Sequence, residues 1–395
     1  MRKTGAELLD SGERFAVTMW EYSWMVQRSG LQAEYADWDR VLDELVERGY
    51  NCIRIDAHPH LLAAGPNGSV ANQFTMLPID ARFMWGNHKA VTVNPRQDVI
   101  EFMQKAKARG IYVGLSSWYN DDTTHRKLMV RSPADYVRIW QETLDLIDAA
   151  GLLDCVVWVD VCNEFPLPSW ALEPYKAIFD QKKVATGLTA GMWRLAPGWS
   201  QSAITRFGEY LTESVQGLKR RYPHLRYTFS FQGIGSSSVV KADASALDLG
   251  EPHIWSTDDL WWMFRSGMLK SQSQDPLKGM AAYARQAVRN YPRYRARCRR
   301  VLEQRMDFWK SWAAKYKLPL VTTEGWTAVL YEDISPNGQA GEWAWFKDVA
   351  EYAVETALRK GWQGICTSNF CEPHFEGMWK DVAWHRRLTT MIRSD

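Results

Sequence analysis

The chain has 395 residues, enough for two or three domains at about 150 residues each or for a single α/β barrel. Its 48 basic and 46 acidic side chains leave a net charge of +2, which excludes a nucleic-acid or anionic-membrane binder driven by bulk charge. No apolar run reaches the ~18 residues of a membrane span, and the opening MRKTGAELLDSGERF has no apolar segment behind its positive charges, so the sequence reads as a cytoplasmic protein.

In chain order, eight short β-branched and apolar runs recur: Phe15 to Trp20, Asn51 to His58, Ile111 to Trp118, Val156 to Glu164, Arg226 to Gly233, Ala246 to Trp255, Leu318 to Trp326 and Gly364 to His374. Amphipathic stretches such as DWDRVLDELVERG and ADYVRIWQETLDLIDAAG separate them. Several of these close on Gly, and Asp37 and Asn94-Pro95 stand where helix starts belong. Strands that alternate with helices pair in parallel, and eight such units predict one (β/α)8 TIM barrel over residues 1–395, a single domain. A doubly wound sheet competes, but TMWEYSWMVQRSG after the first run holds no Gly-rich phosphate loop. Long loops follow the fourth run (Phe165 to about Ala203) and the sixth (Ser256 to about Tyr294), and in such barrels loops after strands build the site. Cys52, Cys155, Cys162, Cys298, Cys366 and Cys371 are scattered without a C-x-x-C pair and read as small buried hydrophobes.

Tryptophan occurs 21 times. Core packing accounts for about half of these; the remainder suit stacking on sugar rings, through a flat apolar face and one N–H donor. The basic run from Arg289 to Arg305, with interleaved Tyr, reads as a solvated helix face rather than a nucleic-acid surface.

Two runs stop on a glutamate: Val161-Cys162-Asn163-Glu164 and Thr322-Thr323-Glu324-Gly325. A carboxylate at the end of an apolar strand is costly without a partner or a task, and two of them on opposite sides of a barrel mouth suit the paired carboxylates of a retaining glycosidase. The Asn-Glu pair ending the fourth run and the Glu ending the seventh resemble the signature of the (β/α)8 glycoside hydrolases of clan A, the cellulase-like superfamily. Arg54 in the second run, His253 in the sixth and Trp326 after the second glutamate fit the same pattern.

The resemblance implies that Glu164 is the acid/base and Glu324 the nucleophile, held ionised by Arg54. It also implies that Asn163 binds the 2-hydroxyl and that His253 lies near the acid/base or the sugar. Arg54 has a structural alternative, a salt bridge with Asp56 or Asp160. Trp255 stands where many members carry Tyr, and the eighth run offers Asn369, Phe370 and Glu372 where many end in Trp.

Other strand ends present Glu21, His58, Trp118, Asn369 and Glu372 as substrate contacts. Glu21 and Glu372 are expected to grip vicinal hydroxyls at the non-reducing end, which makes the site a pocket. The tryptophans of the inserts (Trp170, Trp193, Trp199, Trp261, Trp262) either stack on acceptor sugars or pack their own helices. His58-Pro59-His60 is too tight a spacing for a metal without a third ligand, so neither metal nor organic cofactor is expected. The expected function is a retaining exo-β-glycosidase acting on short oligosaccharides or glycosides. The alternatives are an endo-acting β-glycanase and a carbohydrate-binding barrel without turnover. The insert after the sixth run suits a homo-oligomer interface as well as a substrate lid.

Overall fold

The computed structural model describes residues 2–28, 33–79, 87, 89–181, 198–233, 236–268, 276–327 and 343–394; the side chains of 276–282 and 284 are not described. Its strands are β1 (Phe15–Met19), β2 (Cys52–Asp56), β3 (Phe74–Met76), β4 (Val91–Val93), β5 (Tyr112–Ser116), β6 (Val156–Asp160), β7 (Tyr227–Thr228), β8 (Ser230–Phe231), β9 (Glu251–Pro252), β10 (Ile254–Trp255), β11 (Val321–Thr322), β12 (Gly325–Trp326) and β13 (Gly364–Cys366). Each of the eight predicted runs contains at least one of them.

Seven strands form one parallel sheet in the order β11-β13-β1-β2-β5-β6-β7. Three short parallel contacts lie beyond it: β8 with β9, a bridge between Gly250 and Leu320, and β10 with β12. β1, β2, β5 and β6 are buried at every position, as strands covered on both faces must be. Gly114 in β5 faces Trp158 in β6; a Cβ there would fall inside the indole, so glycine lets that ring fill the space between neighbouring strands.

The crossover helices begin and end where the caps predict. Asp37 accepts the Arg40 N–H at the start of Trp38–Glu47, and Pro95 opens Pro95–Ala108. Gly49, Gly110, Gly151 and Gly361 follow helix ends with φ between 69° and 82°, a conformation that an L side chain adopts only with strain.

Four expectations change. The fifth, sixth and seventh runs are broken strands: between β7 and β8 the Asp160 carboxylate takes the Ser230 N–H (2.8 Å), so a side chain replaces a ladder partner. An antiparallel hairpin, β3 with β4, interrupts the connection after the second run. The loops are partly helical, with Leu172–Phe179 after the fourth run and Leu260–Ser266 plus the 41-residue Pro276–Tyr316 after the sixth. Trp193 lies outside the described residues. Finally, tryptophan packs the core well beyond half of its occurrences: Trp20, Trp24, Trp140, Trp158, Trp262, Trp309, Trp326 and Trp362 are among the largest fully buried side chains.

The Trp261-Trp262 pair divides. Trp262 is buried against Tyr291, Tyr294 and Trp345, whereas Trp261 is 45% exposed. The basic run lies on Pro276–Tyr316 as a largely exposed face, with Arg295 and Arg299 on Asp348 and Arg297 on Asp259. All six cysteines are buried thiols. Among the described residues no helix is long and apolar enough to cross a membrane.

Candidate active site

Arg54 is the centre of the site. It sits inside β2 with no exposure, and a buried guanidinium persists only where anions surround it. Its Nη1 donates to Glu324 Oε1 (3.0 Å), and its Nη2 reaches Asp160 Oδ2 (2.6 Å), Asn163 Oδ1 (2.7 Å), Ser116 Oγ (3.0 Å) and Ser230 Oγ (3.3 Å). Its Nε lies 3.1 Å from Glu251 Oε1. The Trp118 ring covers the guanidinium at 4.5 Å. The salt bridge to Asp160 therefore exists together with the one to Glu324. Asp56 is engaged elsewhere, accepting the backbone N–H of His58 (2.7 Å) and of Trp118 (2.9 Å).

The two strand-end glutamates meet across His253. Its Nδ1 lies 3.0 Å from Glu164 Oε1 and 3.4 Å from Glu324 Oε2, and these three atoms fall within 4.8 Å of one another. A cation would suit that trio by spacing, but Arg54 already supplies positive charge at Glu324. Burial pushes His253 down to about 4, so the imidazole is neutral, and its Nδ1 is the atom that both carboxyls approach. Burial also pushes Glu164 up to about 7; Arg54 opposes this and Asp160 adds to it. Glu324 is raised as well, by burial first, with His253 and Arg54 pulling it back and the Glu164 charge adding to the rise. Glu164 keeps 17% of its side chain exposed and Glu324 9%. The arrangement can hold one carboxyl as an acid and the other as an anion, the division that general-acid and nucleophile roles require.

Backbone conformation marks the same end of the sheet. Glu21, His58, Tyr119, Glu164 and Phe370 all have φ between 26° and 63° just beyond the last residues of β1, β2, β5, β6 and β13. Left-handed non-glycine residues cost free energy and cluster where function requires an aimed side chain.

The remaining predicted residues fall into two groups. Asn163, Trp118 and Trp326 surround the core of the site; Trp326 is fully buried and its Nε1 donates to the Thr367 carbonyl (3.3 Å). Trp255 pairs with Trp326 across β10 and β12, and Asn369 donates its N–H to the Gly325 carbonyl.

Glu21 and Glu372 form a separate acid pair, both 1% exposed and hydrogen-bonded to each other. Ser23 Oγ donates to Glu21, and Tyr35 OH donates to Glu372 (2.9 Å). Burial raises Glu21 to about 8 and Glu372 well above the usual carboxylate range. Both carboxyls are thus buried rather than open on the surface, and Glu21 Oε2 has no hydrogen-bond partner. His58 is buried with neither ring nitrogen hydrogen-bonded, and the Asn369 Oδ1 is likewise unpartnered.

Sequence reasoning missed Glu251 and the hydroxyls of Ser116, Ser230 and Thr323. Glu251 lies two residues before His253 in a strand run (ALDLGEPHIW) whose other acidic residue is Asp248, and its closeness to His253 was the available signal. The serines carry none, because only the register of β5 and β8 aims them at Asp160.

Residues 17–393 match the cellulase-like family, described as sugar-binding cellulase-like. The crystal structure of a proposed glycoside hydrolase from Parabacteroides distasonis ATCC 8503 is similar at 34% identity with a TM-score of 0.83, covering 97% of this chain and 94% of that one. ZgEngAGH5_4, solved in complex with a cellotriose, shares the fold at 10% identity with a TM-score of 0.50, covering 98% of each chain. The hyperthermostable endo-1,4-beta-D-mannanase of Thermotoga petrophila RKU-1 matches at 10% identity and a TM-score of 0.49, covering 89% of this chain and 87% of its own. No curated protein matches. The chain belongs to the sugar-binding cellulase-like family of clan A glycoside hydrolases.

Proposed function

We propose that the protein is a retaining exo-acting β-glycosidase of short oligosaccharides or glycosides, built as one (β/α)8 barrel over residues 1–395. The observation that carries the reading is the contact of Glu164 and Glu324 with one imidazole, their facing atoms within 4.8 Å, while Arg54 holds the second of them. Retaining enzymes place their two carboxyls about 5 to 5.5 Å apart, and inverting ones leave about 6.5 Å or more for a water. The barrel reading is supported by the three contacts beyond the seven-stranded sheet, which link the fifth, sixth and seventh runs.

In this mechanism Glu324 attacks the anomeric carbon while Glu164 gives its proton to the leaving oxygen. A covalent glycosyl-enzyme forms, and Glu164, now a base, takes a proton from the water that hydrolyses it. Arg54 keeps Glu324 ionised and turns the Asn163 carbonyl toward itself, which leaves the Asn163 amide N–H2 for the sugar 2-hydroxyl. His253 orients both carboxyls. Trp118, Trp255, Trp326, His58 and Asn369 line the sugar site, with Glu21 and Glu372 at its non-reducing end. The exo reading is supported by the low exposure of these groups, since an endo-acting enzyme needs an open cleft. No step requires a metal or an organic cofactor.

The test is a hydrolysis screen of β-linked disaccharides, oligosaccharides and aryl β-glycosides of several sugars, run on the wild type and on Glu324→Gln. Release of single sugars by the wild type alone supports the reading. Internal cleavage of longer chains would replace it with an endo-glycanase. Binding of sugar without turnover in the wild type would make the protein a carbohydrate-binding barrel.

A further inference from the structure

Three carboxyl groups converge on one guanidinium, and they are not equally supported. Asp160 accepts four hydrogen bonds: Arg54 Nη2, Ser116 Oγ and Ser230 Oγ on Oδ2, and the Ser230 N–H on Oδ1. Glu324 accepts from Arg54 Nη1 and faces His253. Glu251 accepts only from Thr323 Oγ1 (2.6 Å), stands 3.1 Å from Arg54 Nε without hydrogen-bond geometry, and buries its Oε2 with no partner. All of this lies at 0% exposure for Arg54, Asp160 and Glu251. One positive charge cannot sustain three buried anions, and the group whose one donor is a neutral hydroxyl is the one that holds a proton.

We propose that Glu251 is a positioning residue for the nucleophile: held as the neutral acid beside the guanidinium, it leaves the charge of Arg54 to Asp160 and Glu324. Ionised, Glu251 competes with Glu324 for Arg54 and draws the guanidinium away from the nucleophile. Thr323, immediately before Glu324, hydrogen-bonds Glu251 and so ties its position to the nucleophile's own strand end.

The titratable and charged groups acting on Glu251 are Arg54, Asp160 and Glu324, and Cys52 and Cys366 sense its charge. Burial pushes Glu251 up to about 8; Arg54 and Thr323 oppose this, and Asp160 and Glu324 add to it.

This inference rests on the nucleophile role proposed for Glu324, and the test separates the two. Wild type and Glu251→Gln are assayed for kcat/KM from pH 5 to 10 on a panel of 2,4-dinitrophenyl β-glycosides. That leaving group departs without a proton, so Glu164 does not shape the alkaline limb. The wild type should lose about tenfold per pH unit above about 8, while Glu251→Gln, a permanent mimic of the neutral acid, stays within about twofold of its neutral-pH value. An independent readout is the infrared difference between the two proteins at neutral pH, which should contain the carbonyl stretch of a protonated carboxyl that fades above about pH 8. Parallel alkaline limbs in the two proteins, or a difference spectrum showing only a carboxylate at neutral pH, would overturn the inference and leave the nucleophile assignment standing. Failure of both proteins to release dinitrophenolate from any member of the panel overturns the nucleophile assignment and this inference with it.

Discussion

Two buried acidic clusters lie close together in this molecule and solve the same problem differently. Around Arg54, carboxyls share a cation, and Asp160 is surrounded by donors. At Glu21 and Glu372 no ion pair with Lys or Arg exists among the described residues, and the two carboxyls bond each other with help from Ser23 and Tyr35. The first cluster can carry negative charge; the second balances itself by holding protons. The two sense each other, since the Glu324 charge adds to the rise of Glu21. The comparison teaches that a neighbouring guanidinium, and not burial or strand-end position, decides which acidic cluster can carry negative charge.

That contrast breaks most visibly at Glu324. Replacing it with Gln should lower turnover on aryl β-glycosides by on the order of 10⁴-fold or more while calorimetry still detects sugar binding. Glu164→Gln should cost about 10² to 10⁴-fold on substrates with poor leaving groups and far less on dinitrophenyl glycosides. The same variant should lose the alkaline limb that the wild type shows on poor leaving groups as pH rises through about 7 and the acid loses its proton. A limb unchanged in Glu164→Gln would move the acid role to another residue.

Arg54→Met should cost about 3 to 5 kcal/mol in denaturant unfolding at pH 7, because Asp160 and Glu324 are left buried without a counter-charge. A loss below about 1 kcal/mol would show that Arg54 does not compensate buried charge at this position. Glu21→Gln should have the smallest effect, seen in the pH dependence of the melting temperature. Glu21 has a folded pKa raised to about 8, so its contribution is complete below its unfolded pKa of 4.5 and is lost as pH rises through about 8. Buried His58, pushed down to about 3, and His60, to about 4, work in the opposite direction, but only below the unfolded value of 6.5. Stability of the wild type should therefore fall between about pH 6.5 and 8, and Glu21→Gln should flatten that fall. An unchanged slope would place the shared proton elsewhere.

Much of the fold was legible because its signals are local. Eight apolar runs, capped helices and glycines after helix ends follow from burial and backbone sterics within a few residues. The places of Glu164, Glu324, Arg54 and His253 were readable for the same reason, since a charged residue in an apolar strand must be paid for by a partner. The break between β7 and β8 was not readable, because it depends on the Asp160 carboxylate reaching Ser230 from a neighbouring strand.

The amino-acid sequence by itself determined the alternation of strands and helices, the family, and the glutamate at the end of each of two strands. Only the tertiary structure decided that Glu21 and Glu372 turn to each other and that Glu251 joins Asp160 and Glu324 around Arg54. It also decided that most tryptophans fill the core instead of meeting solvent. The physical reason is range: strand and helix periodicity is written in neighbouring residues, whereas the charge state of a buried acid depends on which distant groups the register of the sheet brings within about 4 to 6 Å of it.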